Sequence, residues 1–271
     1  MTVLVTCPNV RGGLFAIEGD RVRRLIPSIE DFRGIARHGA RAAVVAREQE
    51  LWRLSLSPYV CVEKRVAVPW GDLHSLCVVG DQVFVALTGQ NAIGIYDAIT
   101  LEEQQIIPFR PERQDTLHLN SVWISDGVLL TSQFSETPWG GRWRDLPKIS
   151  GLILSNGRPV IRDVGQPHSI GLLAGTLRYC VSNEGRVIIG SRSIQFDGFT
   201  RGVCTDDRYL YVGLSADRVD EFPEPDYARV AVLDLADLRR IRTIDLSDAR
   251  EIYDLCVVPW VGEWAHDQEM V

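Results

Sequence analysis

Apolar residues recur along the chain in short runs, many alternating with polar positions, and turn residues such as Gly, Asn, Asp and Ser separate the runs. QVFVALT, AIGIYDA, GVLLTSQF, LRYCVSN, RVIIGSR, YLYVGLS and RVAVLDL are the clearest. A period near two over short stretches is the mark of β-strands, whereas a helix needs a 3.6-residue stripe over a longer window. Helical patterning is nearly absent, so the chain is expected to be all-β.

The runs also repeat. RGIARHGARAAVVARE (33–48), HSLCVVGDQVFVALTG (74–89), HLNSVWISDGVLLTSQ (118–133), HSIGLLAGTLRYCVSN (168–183) and RGVCTDDRYLYVGLSA (201–216) each read as strand, tight turn, strand. A sixth copy begins with YDLCVVP at Tyr253 and stops. Three positions after each start stand Ala36, Cys77, Ser121, Gly171, Cys204 and Cys256, all small. Two positions after each start stand Ile35, Leu76, Asn120, Ile170, Val203 and Leu255, apolar except for Asn120. The starts lie 41, 44, 50, 33 and 52 residues apart, near the roughly 40–50 residues of a four-stranded propeller blade. The expectation is one six-bladed β-propeller over residues 1–271. The strands TVLVTCP, GGLFAIEG and RVRRLIP near the N-terminus complete the blade begun at Tyr253. Two stacked β-sandwiches, the competing arrangement, leave the repeat unexplained.

The first position of each repeat supplies the candidate chemistry: Arg33, His74, His118, His168, Arg201 and Tyr253. In a propeller these fall where the innermost strands enter the central channel. Three imidazoles there suit a divalent transition metal of the zinc, iron or manganese class, held by His74, His118 and His168 with positions open for substrate. Without a metal, neighbouring histidines titrate apart and provide an acid/base set. Arg33 and Arg201 form an anion-binding half, because guanidinium groups pair bidentately with carboxylate or phosphate. Two cations beside the Tyr253 phenol favour its ionised form.

Other residues add to this ring. Tyr253, Glu184 or His118 would move a proton, Glu184 lying in the SNEG turn of the His168 repeat. Asn120, a lone amide in an apolar column, is expected to orient a histidine or touch substrate. The long connections 132–148 and 215–229 read as binding loops, and the first carries Trp139, Arg142, Trp143 and Arg144, with Trp143 and Arg144 placed to stack on and pair with a ligand. His38 and His266 fall away from the ring. A solvated mouth holding ordered water is the alternative that needs no ligand.

Charge and composition narrow the partners. A net charge of −7 with no Lys/Arg run argues against nucleic acid. No apolar run reaches the roughly 20 residues that span a bilayer, and the N-terminus lacks a signal-peptide pattern, so a cytoplasmic protein with no membrane partner is expected. Six cysteines without a CxxC pair read as reduced, packed thiols. Walker, dinucleotide and GxSxG motifs are missing from the sequence.

With these residues in place, TLHLNSV, GRWRDLPKISGLIL and QPHSIGL resemble the HLN, WR and PHS motifs of a bacterial family of unknown function, over about residues 70–190. The resemblance implies the propeller and gives weight to His118, Asn120, Trp143, Arg144 and His168, but brings no activity with it. The chain departs from the family in having PHSIG where PHSPR is usual. More loosely it is similar to the gluconolactonase and streptogramin-lyase group of propellers, although the Glu, Asn and Asp metal set of lactonases is not visible. The expected function is a metal-dependent lyase, isomerase or hydrolase acting on a small polar or anionic metabolite at the channel mouth. A non-catalytic binding propeller and a metal-free His/Tyr acid-base enzyme are the alternatives.

Overall fold

Strand-forming runs joined by two-residue turns pair with their own neighbours first, and here they do so six times around one axis. The computed structural model of the chain describes residues 1–9, 11–27, 31–111, 114–136, 150–216 and 227–264. Six antiparallel sheets make up the ring, and their inner strands are Phe32–His38, Leu73–Val79, Leu119–Ser125, Pro167–Leu173, Phe199–Thr205 and Asp254–Val258. We number the blades 1 to 6 in that order. The inner strands pack on one another in sequence and the sixth packs on the first.

Blade 6 is composite, as expected: Asp254–Val258 pairs with Thr2–Cys7, which continues into Gly13–Glu18 and Arg21–Pro27. Both ends of the chain are thereby locked into one sheet. One element was not expected. Glu263–Trp264 adds a parallel strand to the outer edge of blade 1, against Tyr59 and Val60, and Gly262 N–H donates to Leu56 O at 2.8 Å. The chain leaving blade 6 thus ties blade 1 to it and covers an edge that would otherwise be open for pairing.

Each blade buries its apolar faces against its neighbours, so the core is divided among the seams. The blade 6/1 seam holds Leu4, Leu14, Ile35, Val45 and Trp52. Val85, Leu73, Val44 and Tyr96 fill the seam between blades 1 and 2. On either side of blade 3 the seams are thinner among the described residues: Ala86, Ile93, Leu119 and Val122 toward blade 2, and Leu130, Ile153 and Ile170 toward blade 4. All six cysteines are free thiols. No helix among the described residues is long and apolar enough to cross a membrane.

Candidate functional site

In blades 1 to 5 the inner strand carries a register shift close to its entry into the channel, between Phe32 and Ile35, Leu73 and Leu76, Leu119 and Ser121, His168 and Gly171, and Thr200 and Val203. Such bulges re-aim side chains, and here they turn one large polar residue per blade toward the axis. Gly34 shows how close the backbones come. A Cβ there would lie 2.5 Å from His74 O and 2.7 Å from Leu76 N.

Two local features fix which residue occupies the ring in each blade. In blades 2, 3 and 4 a residue with left-handed backbone precedes the strand: Asp72 (φ 41°), His118 (φ 50°) and Gln166 (φ 45°). The side chain two residues later bonds to that residue's carbonyl: His74 Nδ1 to Asp72 O at 3.0 Å, Asn120 Nδ2 to His118 O at 3.4 Å, and His168 Nδ1 to Gln166 O at 2.9 Å. Asn120 therefore stands where His74 and His168 stand, and His118 lies two residues before the ring position. The ring is Arg33, His74, Asn120, His168, Arg201 and Tyr253. With this register the apolar column becomes Ile35, Leu76, Val122, Ile170, Val203 and Leu255, without exception. The small column now includes Trp123, whose ring edge fills the space left by Gly171; a Cβ on Gly171 would lie 3.1 Å from Trp123 Cδ1.

The carbonyl before each of five ring residues is held from the preceding blade. Thr88 Oγ1 donates to Leu119 O, Ser132 Oγ to Pro167 O at 3.1 Å, Ser182 Oγ to Thr200 O at 2.6 Å, and Ser215 Oγ to Ile252 O at 3.3 Å. Between blades 1 and 2 the Arg33 guanidinium does this, donating to Leu73 O at 2.9 Å. Arg33 also pairs with Asp72 and, at 3.4 Å, with Asp31. Its charge is thus engaged by two carboxylates and a carbonyl, and the anion-binding role expected for it gives way to a positioning one.

Three of the ring residues also belong to a collar of packed aromatic groups. Tyr253, His74, His118, Phe134, His168 and Phe199 follow one another with ring centroids 5.7, 5.1, 4.6, 5.3 and 5.6 Å apart. Phe134 separates His118 from His168, so the three histidines expected to share a metal ion do not converge. Among the described residues, no group of three His, Cys, Asp or Glu side chains is arranged to hold one. His118 Nδ1 is turned to Asp115 Oδ2 at 2.8 Å. Burial, and then the charges of Arg33, His118 and Arg201, holds the His74 imidazole well below its ordinary pKa.

A small cavity opens on the axis. Asn120, His168, Arg201 and Tyr253 of the ring line it, with Ser75, Ser121, Ser169 and Asp254 from the next position along each strand. It has room for little more than one water molecule. His168 shares its Nδ1 proton between Gln166 O and, at 2.8 Å, Ser182 Oγ, whose own hydrogen goes to Thr200 O. The proton therefore resides on Nδ1 and leaves Nε2 as the acceptor of the neutral ring.

Tyr253 is 6% exposed, and its hydroxyl has no hydrogen-bond partner among the described residues. The Arg201 guanidinium stacks 3.3 Å from the centroid of the Tyr253 ring. Burial pushes the phenol up to about 12, outweighing the opposing pull of Arg201 and Arg33; the ionised phenolate expected from two adjacent cations is not what this site favours. Asp254 accepts from Leu255 N–H at 2.9 Å and Ile35 N–H at 3.4 Å. Burial raises its carboxyl to about 6 against those two amides and against Arg178 and Arg201.

Glu184 does not reach the cavity. It pairs with Arg186 at an exposed turn, so its expected proton-transfer role has no geometric support. Trp143 and Arg144, with Trp139, Arg142 and His266, lie outside the described residues. His38 is at the far end of its strand, 3.0 Å from Asp81. The residue missed from the sequence is Asp254. Its signal lay in the column after the ring, Gly34, Ser75, Ser121, Ser169, Gly202 and Asp254, where one carboxylate stands among small residues once blade 3 is in register.

Fold and site define a six-bladed β-propeller with a small polar cavity, lined by one arginine and one carboxylate, at the mouth of its axis. The chain belongs to the family described as domain of unknown function DUF4915, whose model matches residues 73–264. No curated protein matches the sequence. Among solved structures it is similar to a protein of unknown function from Bacteroides caccae, at 12% identity over 95% of this chain and 98% of that one, TM-score 0.68. It is likewise similar to a chain of the nidogen/laminin complex, at 12% identity over 94% and 98%, TM-score 0.69. A protein classed as a gluconolactonase follows at 16% identity over 90% and 87%, TM-score 0.63. At these identities the likeness is one of fold.

Proposed function

We propose that the chain is an enzyme that acts by proton transfer on a small polar or anionic metabolite whose reacting end enters the axial cavity, with Asp254 as base and Tyr253 as acid. The observation that carries this reading is the buried Tyr253 hydroxyl, unpartnered in a cavity it shares with Asp254 and Arg201. A buried polar group without a partner costs about 1–3 kcal/mol, and a ligand that supplies the partner accounts for its retention. A carboxyl near 6 is suited to taking a proton at neutral pH, and a phenol near 12 is suited to holding one until it is needed. Arg201 offsets the charge of an anionic ligand.

The reaction class lies among lyase, isomerase and hydrolase. Hydrolysis, for instance of a lactone, is in keeping with the fold likeness to the gluconolactonase-classed protein. A divalent ion in the cavity would face Arg201 and lack a converging histidine set, so the reaction is written without one.

The test is turnover by the purified chain, in EDTA, of a panel of small hydroxy and keto carboxylates and their lactones. Conversion is expected for at least one, falling more than 100-fold in Tyr253→Phe and in Asp254→Asn while circular dichroism stays native. Conversion that stops on chelation and returns with zinc or manganese would restore the metal-dependent reading. No conversion of any member would favour a binding propeller, a reading in keeping with the likeness to the nidogen/laminin chain.

A further inference from the structure

Asn120 differs from His168, in the equivalent ring position of the next blade, by what it presents to the cavity. Ser121 Oγ accepts the Ser169 N–H at 3.0 Å, so its own hydrogen is directed to Asn120 Oδ1 at 3.1 Å. Ser132 Oγ shares its one hydrogen between the same oxygen, at 2.9 Å, and Pro167 O, at 3.1 Å. With the amide oxygen turned to these hydroxyls, the amide nitrogen faces the other way. One of its two hydrogens reaches back to His118 O at 3.4 Å, and the other is left for the cavity. The side chain is 1% exposed and its hydroxyl partners are buried, so the amide is held in this orientation before any ligand arrives. His168, by contrast, uses its Nδ1 hydrogen on a backbone carbonyl and on Ser182 Oγ, and offers an acceptor.

We propose that Asn120 Nδ2, the Tyr253 hydroxyl and the Arg201 guanidinium form a pocket for a negatively charged substrate oxygen, and that the substrate class is therefore carboxylates and carbonyl compounds in which negative charge sits or develops on oxygen. This rests on the enzyme reading above and narrows it. Preorganised donors aimed at a developing oxyanion are among the strongest contributors to catalysis, because no reorganisation is needed when the charge appears. The three donors come from blades 3, 5 and 6, on separate strands of the ring, and all line the one cavity. The cavity is small, so only a single oxygen or a carboxylate tip of the ligand enters it. Asp254, in the same cavity, is left to handle the proton rather than the charge.

Acetate is the minimal probe, followed by carbon-13 line broadening, with acetamide as its neutral isostere. The native chain is expected to bind acetate at least 10-fold more tightly than acetamide. Asn120→His keeps the local bond to the carbonyl of residue 118, as His74 and His168 do, but replaces the donor by an acceptor; above pH 7.5 it should lose acetate binding by 10-fold or more. Asn120→Ala should do the same, which guards against misfolding of either variant, and melting temperature reports folding in both. Ser121→Ala, which frees the amide to turn, should weaken acetate by about 3–10-fold and be rescued by Ser121→Thr. Equal binding of acetate and acetamide, absence of acetate binding to the native chain at 100 mM, or native-like binding by a folded Asn120 variant would overturn the proposal. Acetate binding that depends on Asn120 without turnover of any substrate would remove the enzyme reading and leave the oxyanion pocket standing.

Discussion

Asp254 is held where its charge is costly. Its carboxyl is raised from an ordinary value near 4 to about 6 by burial, even with two amide donors and two nearby arginines acting the other way. Below pH 4 the folded and unfolded chains both hold this proton. As the pH rises through 4 to 6 the unfolded chain releases it first, so the contribution to stability present at low pH is lost across that window. Two pKa units correspond to about 3 kcal/mol, a figure that already includes the amide bonds that the ionised form keeps. Asp254→Asn forgoes one of those bonds, at about 1 kcal/mol, and removes the buried charge. It is expected to raise the melting temperature by about 4–8 °C at pH 7.5 and to leave it unchanged at pH 4. A fall at pH 7.5 would show that the carboxylate is stabilised by partners beyond those seen. On the proposed function, kcat/KM should climb through a midpoint near pH 6 as Asp254 ionises.

At the scale of strands, the ring owes its geometry to the bulges and to the hydroxyl and guanidinium groups that bridge the blades. Thr88→Val keeps the shape of the side chain but leaves Leu119 O without the Thr88 donor; urea unfolding should show a loss of about 1–2 kcal/mol, accompanied by weaker acetate binding, because Asn120 is the next residue. Gly34→Ala should be far more damaging. Its Cβ would meet backbone atoms of the neighbouring inner strand at 2.5 and 2.7 Å, and backbone in a closed ring has nowhere to go. A loss of more than about 3 kcal/mol, or failure to fold, is expected. Gly39, in a turn with φ +64° and open space around it, is the contrasting position, and Gly39→Asn should be nearly neutral because Asn tolerates the left-handed region.

The strand pattern was legible because each blade is built from near neighbours: the starts read at 33, 74, 118, 168, 201 and 253 lie within two residues of the observed inner strands. Blade 3 was misread by two positions. HLN offers two large polar residues at a spacing of two, and alternation along a strand cannot say which of them faces the axis. The left-handed backbone at His118 decides it, and that conformation has no marker in the sequence.

Across the whole molecule, the ring is closed by both ends of the chain but is not uniformly packed. Blade 3 has the thinnest described apolar seams on both sides. Local opening begins where buried apolar contact is least, so hydrogen exchange should be fastest in the paired amides of Leu119–Ser125 and Val128–Gln133 and slowest in the composite blade 6. Uniform protection around the ring would contradict this. Since Asn120 lies in the first of these strands, a ligand held by it should slow exchange there selectively.

The sequence by itself determined the all-β class, the six-fold repeat, the closure of the ring and the polar character of the channel mouth, because strand period and blade length are local properties of the chain. Only the tertiary structure decided how those mouth residues are used. It sets Phe134 between His118 and His168, engages Arg33 with Asp72, turns Glu184 outward to Arg186, and brings Asp254 and Asn120 into one cavity with Tyr253. Those outcomes depend on which side chains from different blades meet across the axis and on how deeply each is buried. Distance in sequence carries neither.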